Sequence, residues 1–541
     1  MIELISLVKM NGMKRLLILS LSLLITSLSA QRHYERLEAI DIQHYKFEIQ
    51  LNDENNIING IANVTVKFLK DQSGFDLDLV SREDGKGMKV NIIMTDNERV
   101  KFNQSENLIH IDYQAKMGEL RTFLIAYEGI PVTGMIISKN KYGDRTFFGD
   151  NWPDRAKHWL PSVDHPSDKA TVEWLVTAPA HYQVIGNGRL VERTNLDDNF
   201  TLTHWASDVV IPTKVMVIGA ARFATQVTGQ IYGIPISSWV YPQDREKGFY
   251  DYALALPIMD WFINHVGPYP YAKLANVQSK TQFGGMENAS NIFYSERSIT
   301  GNRSSEGLIA HEIAHQWFGN SASEANWHHV WLSEGFATYF TNLYMEQKYG
   351  RERLVEMLKA QRDQVITLSK KERVPIVNIA IEDYMKLLNA NSYQKGGWVL
   401  HMLRNEVGDD VFWRSIKQYY DKYKLSNALT TDLKEVFEVE SGMDLDQFFN
   451  QWVFQAGQPE LEATWTFKNG QLEIQIDQQQ TESFNFDLEV MMIFDDGSSE
   501  IKTIELENKS QTWTTNLNSK PAKIVLDPDC KLLFEGKMAE N

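Results

Sequence analysis

His311-Glu312-Ile313-Ala314-His315-Gln316-Trp317-Phe318-Gly319-Asn320, followed by Glu334, is the stretch on which the reading of this chain turns. Two histidines at i and i+4 share one helix face, with Cβ atoms about 6 Å apart, the bite that a tetrahedral Zn²⁺ needs from two imidazoles. Between them Glu312 projects beside the metal, where it can take a proton from a water that the metal activates. A third ligand must come from elsewhere. Glu334 is placed for it, because the 18 residues after His315 suffice for the helix to stop at Gly319-Asn320, for a loop, and for a second helix from near Ser333. Two His and one Glu leave a fourth position open, which distinguishes a catalytic zinc from a structural one. In a chain of this composition His-Glu-x-x-His arises by chance only about 0.02 times, so the pattern is a signal. Leu308, Ile309, Ile313, Ala314, Trp317 and Phe318 leave this helix little polar face, and buried imidazoles and carboxylates need a partner such as a metal.

Outward from the motif, the 541 residues allow about three domains. From about residue 40 to 228 the pattern is β. Tyr45, Phe47, Ile49 and Leu51 alternate with polar residues, as do Val64, Val66 and Phe68 after an expected turn at Asn59-Gly60, and Val172, Trp174 and Val176. After Gly233-Ile234-Pro235, helical spacing dominates to about residue 455, including stretches from Ser305 to Phe318, Ser333 to Tyr349 and Tyr393 to Val407. Beyond Gly457-Gln458-Pro459 alternation returns at Leu472, Ile474 and Ile476 and at Leu488, Val490 and Met492. Ile524-Val525-Leu526-Asp527-Pro528 reads as a last strand and turn. The expected fold class is therefore multidomain α+β: an N-terminal β domain over 31–228, a mostly helical catalytic domain over 229–457, and a small C-terminal β-sandwich over 458–541.

A net charge of −17 argues against a nucleic-acid or anionic-membrane partner, since phosphate binding needs a basic face. Lys14-Arg15 precede the apolar run Leu16 to Leu28, which closes on Ser29-Ala30. This is the pattern of a secretory signal peptide over residues 1–30, with Met13 a natural start. The run is shorter than the roughly 20 residues of a membrane span, so no stable span is expected once the signal is removed. An uncleaved anchor is the alternative. Cys530 is the single cysteine, which suits an exported bacterial protein, periplasmic or secreted, stabilised by its core in place of disulfides.

The landmarks together resemble the aminopeptidase N family of zinc metallopeptidases, the gluzincins, which includes the leukotriene epoxide hydrolase. Gly284-Gly285-Met286-Glu287-Asn288 resembles the family's exopeptidase motif, and HEIAHQWFGN over 311–320 its zinc helix. Trp331-Leu332-Ser333-Glu334-Gly335-Phe336-Ala337 is similar to its WLNEGFA segment. Tyr393-Gln394-Lys395-Gly396 resembles its catalytic-tyrosine motif. Leu160-Pro161-Ser162-Val163-Asp164-His165-Pro166 and Pro268-Tyr269-Pro270-Tyr271 resemble N-domain and catalytic-domain signatures.

The resemblance implies a saddle-like N-terminal β domain and a thermolysin-like catalytic domain. It also implies one zinc per chain held by His311, His315 and Glu334, with Glu312 as base. Tyr393 would donate to the developing oxyanion. Glu287 would bind the free ammonium of a peptide substrate, while Gly284, Gly285 and Met286 would pair with its backbone as an added strand. Epoxide hydrolysis at the same zinc and endopeptidase action are the alternative activities.

Three departures stand out. The usual second amine contact is missing from Gly149-Asp150-Asn151-Trp152-Pro153, where Asp150 or Asn151 is the expected substitute. Ser162 replaces the usual Cys. No C-terminal helical domain is expected. Met286 and Trp152 suit an apolar N-terminal side chain, and the oligomeric state is left open.

Overall fold

A computed structural model describes residues 37–541; the segment expected to be a signal peptide lies outside the described residues. The N-terminal region is β-rich. Its eight-stranded sheet is centred on Ile40–Gln50, which pairs in parallel with Lys169–Pro179 and antiparallel with Ile58–Phe68. Period-two alternation sends Ile42, Tyr45, Phe47 and Ile49 inward, together with Val172, Trp174 and Val176 from the neighbouring strand. Phe47 and Trp159 each stack on Trp174, with ring centroids 5.0 and 5.7 Å away. Asn59-Gly60 is not the turn expected from the sequence. Both residues lie within the strand Ile58–Phe68, and Gly60 is required there because a Cβ would fall 2.3 Å from the Tyr127 ring. The chain reverses earlier, over residues 51–57, where Asn52 Oδ1 accepts from the amides of Glu54 and Asn55 at 2.9 Å.

A mixed five-stranded sheet follows, in the order Ala224–Ile231, Ile234–Val240, Leu274–Ser279, Asn291–Ser295, Gly285–Met286. Its three inner strands run parallel, and the two-residue strand Gly285–Met286 closes one edge antiparallel to Asn291–Ser295. Helix Glu306–Ala314 packs on the face of that strand, with Glu312 against Gly285, and helix Trp331–Tyr349 runs through the interior, buried from Trp331 to Met345. Gly335 of this helix meets Gly396 at the start of helix Gly396–Val407, where a Cβ on Gly335 would stand 2.9 Å from the Gly396 Cα. That close approach brings the residues before Gly396 to the metal motif.

Two helix ends differ from the sequence-based expectation. The helix expected to reach Phe318 stops at Ala314, because Gln316 N and Trp317 N reach only three residues back, to Ile313 O and Ala314 O, at 3.0 and 3.1 Å. The helix expected from Tyr393 instead opens on a wider π turn over Asn391–Lys395.

The C-terminal region carries a four-stranded and a three-stranded sheet. Leu472, Ile474 and Ile476 and Leu488, Val490 and Met492 alternate inward. Lys523–Leu526 is a strand but not the last one. Asp527 accepts from the amides of Lys531 and Leu532 at 2.8 and 3.2 Å and turns the chain, and Glu535–Glu540 then pairs in parallel with Glu460–Lys468. No described helix is long and apolar enough to cross a membrane.

Candidate metal centre and substrate cleft

Helix Glu306–Ala314 with its following turn carries His311 and His315, and helix Trp331–Tyr349 carries Glu334 in its first turn. The two helices converge so that three ligand atoms form a nearly regular triangle. His311 Nε2 and His315 Nε2 are 3.2 Å apart, and Glu334 Oε2 lies 3.4 and 3.3 Å from them. Ligands at 2.0–2.1 Å from a tetrahedral zinc stand about 3.3–3.4 Å from one another. The triangle therefore has the size that a zinc ion requires.

Ser333 Oγ and Phe318 O lie 3.0 and 3.2 Å from His315 Nδ1. A proton on Nδ1 donated to the Phe318 carbonyl leaves the Nε2 lone pair facing the other ligands. The shortened helix makes this possible, since the turn after Ala314 folds Phe318 O back over the ring.

The electrostatics call for a cation. Glu287, Glu312 and His315 also bring their ligand atoms within 4.8 Å of one another. Three carboxylates thus surround two imidazoles in a buried space. Burial opposes charge on His315, yet Glu334, Glu287 and Glu312 together raise it to about 9. Burial likewise pushes Glu334 up, but His315 and His311 overcome this and hold it well below the carboxylate range. Burial drives Glu312 well above its ordinary value, with His315 opposing and Glu287 reinforcing. Such a pocket is best balanced by a divalent cation on the His311–His315–Glu334 triangle.

Tyr393, from the π turn, lays its ring nearly parallel to His311, with centroids 5.9 Å apart and planes 14° off. Burial and then the Glu334 charge raise its phenol strongly, so it remains a protonated donor. Gly285 presses on the base: a Cβ there would lie 2.3 Å from Glu312 Oε1, so any side chain would displace that carboxylate. Gly284 faces Leu308, and Met286 is buried opposite Phe293. Glu287 is 5% exposed, and its Oε1 has no partner. A buried, unpaired carboxylate oxygen beside the metal triangle is an incomplete site. The structure thus gathers His311, His315, Glu334, Glu312, Glu287 and Tyr393 into one cluster with Gly285 against Glu312, while Gly284 and Met286 flank Gly285 on the same segment.

The expected second amine contact does not. Asp150 is fully buried and spent on Arg155 at 2.9 Å and on Thr281 Oγ1 and the Gln282 amide at 3.2 Å. Asn151 donates to Thr213 O and Met216 O at 3.1 and 2.7 Å and accepts from Trp159 Nε1 at 2.8 Å. Both are structural. Trp152 meets Phe283 and Trp327 edge-on, with centroids 6.3 and 5.4 Å away, and builds an aromatic wall next to the Gly-Gly-Met-Glu-Asn segment.

The sequence reading missed the residues that hold Glu287 in place. Gln316 Nε2 and Asn320 Nδ2 each donate 2.7 Å bonds to its backbone carbonyl. From the N-terminal region, Asn187 Nδ2 donates to Ala289 O at 2.7 Å and the Gly188 amide to Ser290 Oγ at 2.9 Å. Lys273 Nζ reaches Gly186 O at 3.0 Å. Gly186-Asn187-Gly188 is thus a socket for the segment that follows Glu287. Beneath the cleft Lys214 and Glu324 form a fully buried ion pair at 2.5 Å.

Residues 250–452 match the family model described as the peptidase family M1 domain, and residues 42–215 that of the peptidase M1 N-terminal domain. Glutamyl aminopeptidase of Bos taurus is 27% identical over 330 residues, 58% of this chain and 34% of the relative. Aminopeptidase M1 of Arabidopsis thaliana is 26% identical over 339 residues, 60% and 38% of the two chains. The matched region thus spans little more than a third of these relatives' length. Among solved structures, Legionella pneumophila aminopeptidase A in complex with aspartic acid superposes with a TM-score of 0.80 at 15% identity, over 92% of this chain and 60% of that one. The M1 zinc metallopeptidase from Deinococcus radiodurans gives 0.67 at 21% identity, over 78% and 95%.

Proposed function

Because the chain belongs to peptidase family M1, we propose that it is a zinc-dependent aminopeptidase releasing N-terminal residues from peptides. His311, His315 and Glu334 would hold one zinc, and the size of their triangle supports this assignment. Bound there, zinc would polarise the scissile carbonyl and activate a water. Glu312 removes the proton from the attacking water and delivers it to the leaving amine; its raised affinity for protons suits both steps. Tyr393 donates its phenolic proton toward the oxyanion that forms. Gly284, Gly285 and Met286 offer a free strand edge to the peptide backbone.

The observation that carries the exopeptidase reading is Glu287, whose Oε1 is buried and unpaired and whose carboxylate clusters with Glu312 and His315. A substrate ammonium supplies the missing partner at a fixed distance from the scissile bond. An endopeptidase has no use for a carboxylate there. The test is hydrolysis of an aminoacyl-coumarin amide after dialysis against a chelator. Activity should vanish and return with one equivalent of zinc, and the N-acetylated substrate should not be cleaved. Cleavage unaffected by chelation or by acetylation would end the proposal.

We divide the mature chain into a saddle-like β domain over 31–228, a thermolysin-like domain over 229–457 and a β-sandwich over 458–541. The first division falls within strand Ala224–Ile231, which already pairs with the second region's sheet. The Lys14-Arg15 and Leu16 to Leu28 pattern supports export to the periplasm or beyond. N-terminal sequencing of native protein should begin near Gln31; a retained leader in a membrane fraction would favour an anchor instead.

A further inference from the structure

On the side of the cleft away from Glu287, strand Gly285–Met286 leads into a second cavity of about 520 Å³, lined among others by Lys280, Gln282, Phe283, Gly284, Arg297 and Leu308. Leu308 stands one helical turn before His311 and Glu312, so the cavity opens beside the reacting bond. Strand register tells which part of a substrate enters it. Met286 faces Phe293, Gly285 faces Tyr294, and Ser295 N donates to Gly284 O at 2.9 Å. A peptide with its ammonium on Glu287 and its scissile bond by Glu312 runs its following residues along Gly285, Gly284 and Phe283 on the open edge. Arg297 stands three residues beyond Tyr294, roughly 7–10 Å further along and about 10 Å, two strand spacings, across from a peptide on the open edge. Two or three extended substrate residues cover the distance along the strand, and the long Arg297 side chain is needed for the distance across.

The charges of the cavity are unequal. Its ionisable side chains are Lys280, Glu296 and Arg297. Glu296 is already engaged, by Lys280 at 3.1 Å and by the Lys141 amide at 2.8 Å. Arg297 is exposed and makes no ion pair or hydrogen bond to another described residue. One cation therefore lacks a counter-charge in a cavity continuous with the catalytic strand, on a chain whose net charge is −17. Next to it Arg155, above the Phe283 ring, is committed to Asp150.

We infer that this cavity binds the C-terminal carboxylate of short peptides, three or four residues long, with Arg297 as its partner. The inference rests on the aminopeptidase reading and adds a length preference to it. A guanidinium meets a carboxylate through two parallel N–H donors, which fixes where the peptide must end. Selection by length then comes from charge at one end and charge at the other: Glu287 reads the ammonium and Arg297 the carboxylate.

The experiment compares leucine release from Leu-Gly-Gly and Leu-Gly-Gly-amide by the zinc-loaded protein and by Arg297→Ala, Arg297→Lys and Arg297→Glu. The native chain should favour the free acid about tenfold in kcat/KM, as for one charge-assisted contact. Arg297→Ala should bring the ratio near one, Arg297→Lys should keep part of it, and Arg297→Glu should invert it, which loss of packing alone would not do. An equal ratio in native protein and Arg297→Ala overturns the inference. Full rescue of the amide by an acidic side chain, in Leu-Gly-Glu-amide, overturns the assignment to the chain terminus. Leucyl-coumarin, which has no residues beyond the scissile bond, separates the two readings. If the native protein cleaves it but ignores the terminal carboxylate, only the inference fails; if it does not cleave it, the aminopeptidase reading fails as well.

Discussion

Replacing Glu287 by Gln should lower activity steeply while leaving the fold intact. The side chain is 5% exposed, its Oε1 has no partner, and burial pushes its carboxyl up with His315 opposing. A charge-assisted hydrogen bond contributes about 1.5–3 kcal/mol. Asp150 and Asn151 are both committed elsewhere, so that stretch supplies no second contact to share the ammonium, and the upper figure applies. About 3 kcal/mol corresponds to roughly 150-fold in kcat/KM. Stability should move the other way. An isosteric amide relieves an unpaired buried charge, and the backbone carbonyl keeps its 2.7 Å bonds from Gln316 and Asn320. The assay is hydrolysis of a free and an N-acetylated aminoacyl-coumarin, read beside thermal unfolding of the zinc-loaded proteins. The ratio between the two substrates should collapse in the variant, and its Tm should hold or rise. A ratio that survives the substitution would refute the role given to Glu287, and a Tm lower by several degrees would mean that the lost activity is only structural.

Glu312→Gln should keep one zinc by metal analysis and lose turnover by at least about 100-fold, because Gln cannot accept the proton; a fully active variant would remove Glu312 from the mechanism. Lys214→Met should destabilise by about 3–5 kcal/mol, since it strands the Glu324 carboxylate in the interior, and adding Glu324→Leu should recover most of that in urea unfolding. His401 is pushed down to about 3 by burial, while Tyr339 Oη and Cys530 O lie 3.0 Å from its two nitrogens. Its folded value lies below the unfolded 6.5, so the unfolded chain binds the extra proton, and stability is lost as pH falls below 6.5 toward 3. Between pH 7.5 and 5 the native protein should lose about 2 kcal/mol more than His401→Gln, a difference in which the other histidines cancel. A pH-independent difference would contradict a buried neutral imidazole.

The metal triangle was legible because helical spacing converts directly into distance: His311 and His315 must share a face, and Glu334 follows after a loop of adequate length. Inward alternation at Tyr45, Phe47 and Ile49 was legible for a similar reason. Glu535–Glu540 escaped because an edge strand with few apolar residues shows no period. The Asn59-Gly60 pair misled because turn propensity is local, whereas the space left by Tyr127 is set by a strand far along the chain. Gln316 and Asn320 could not be assigned from the sequence. They hold a backbone carbonyl, which every residue possesses, so no residue type at the other end announces the contact. Asp150 and Asn151 show the reverse case, polar residues at a suggestive position whose bonds are all spent inside the protein.

The Gly186-Asn187-Gly188 socket ties the setting of the segment after Glu287 to how two folded halves fit together. The proposed ligands His311, His315 and Glu334, the proposed base Glu312 and Glu287 itself all belong to one half, yet the segment that follows Glu287 is also clasped from the other by Asn187, 102 residues from Ala289 in the chain. If Glu287 reads the substrate ammonium as proposed, changes at the seam, remote from every motif, would retune which peptides are trimmed while leaving the reacting groups untouched.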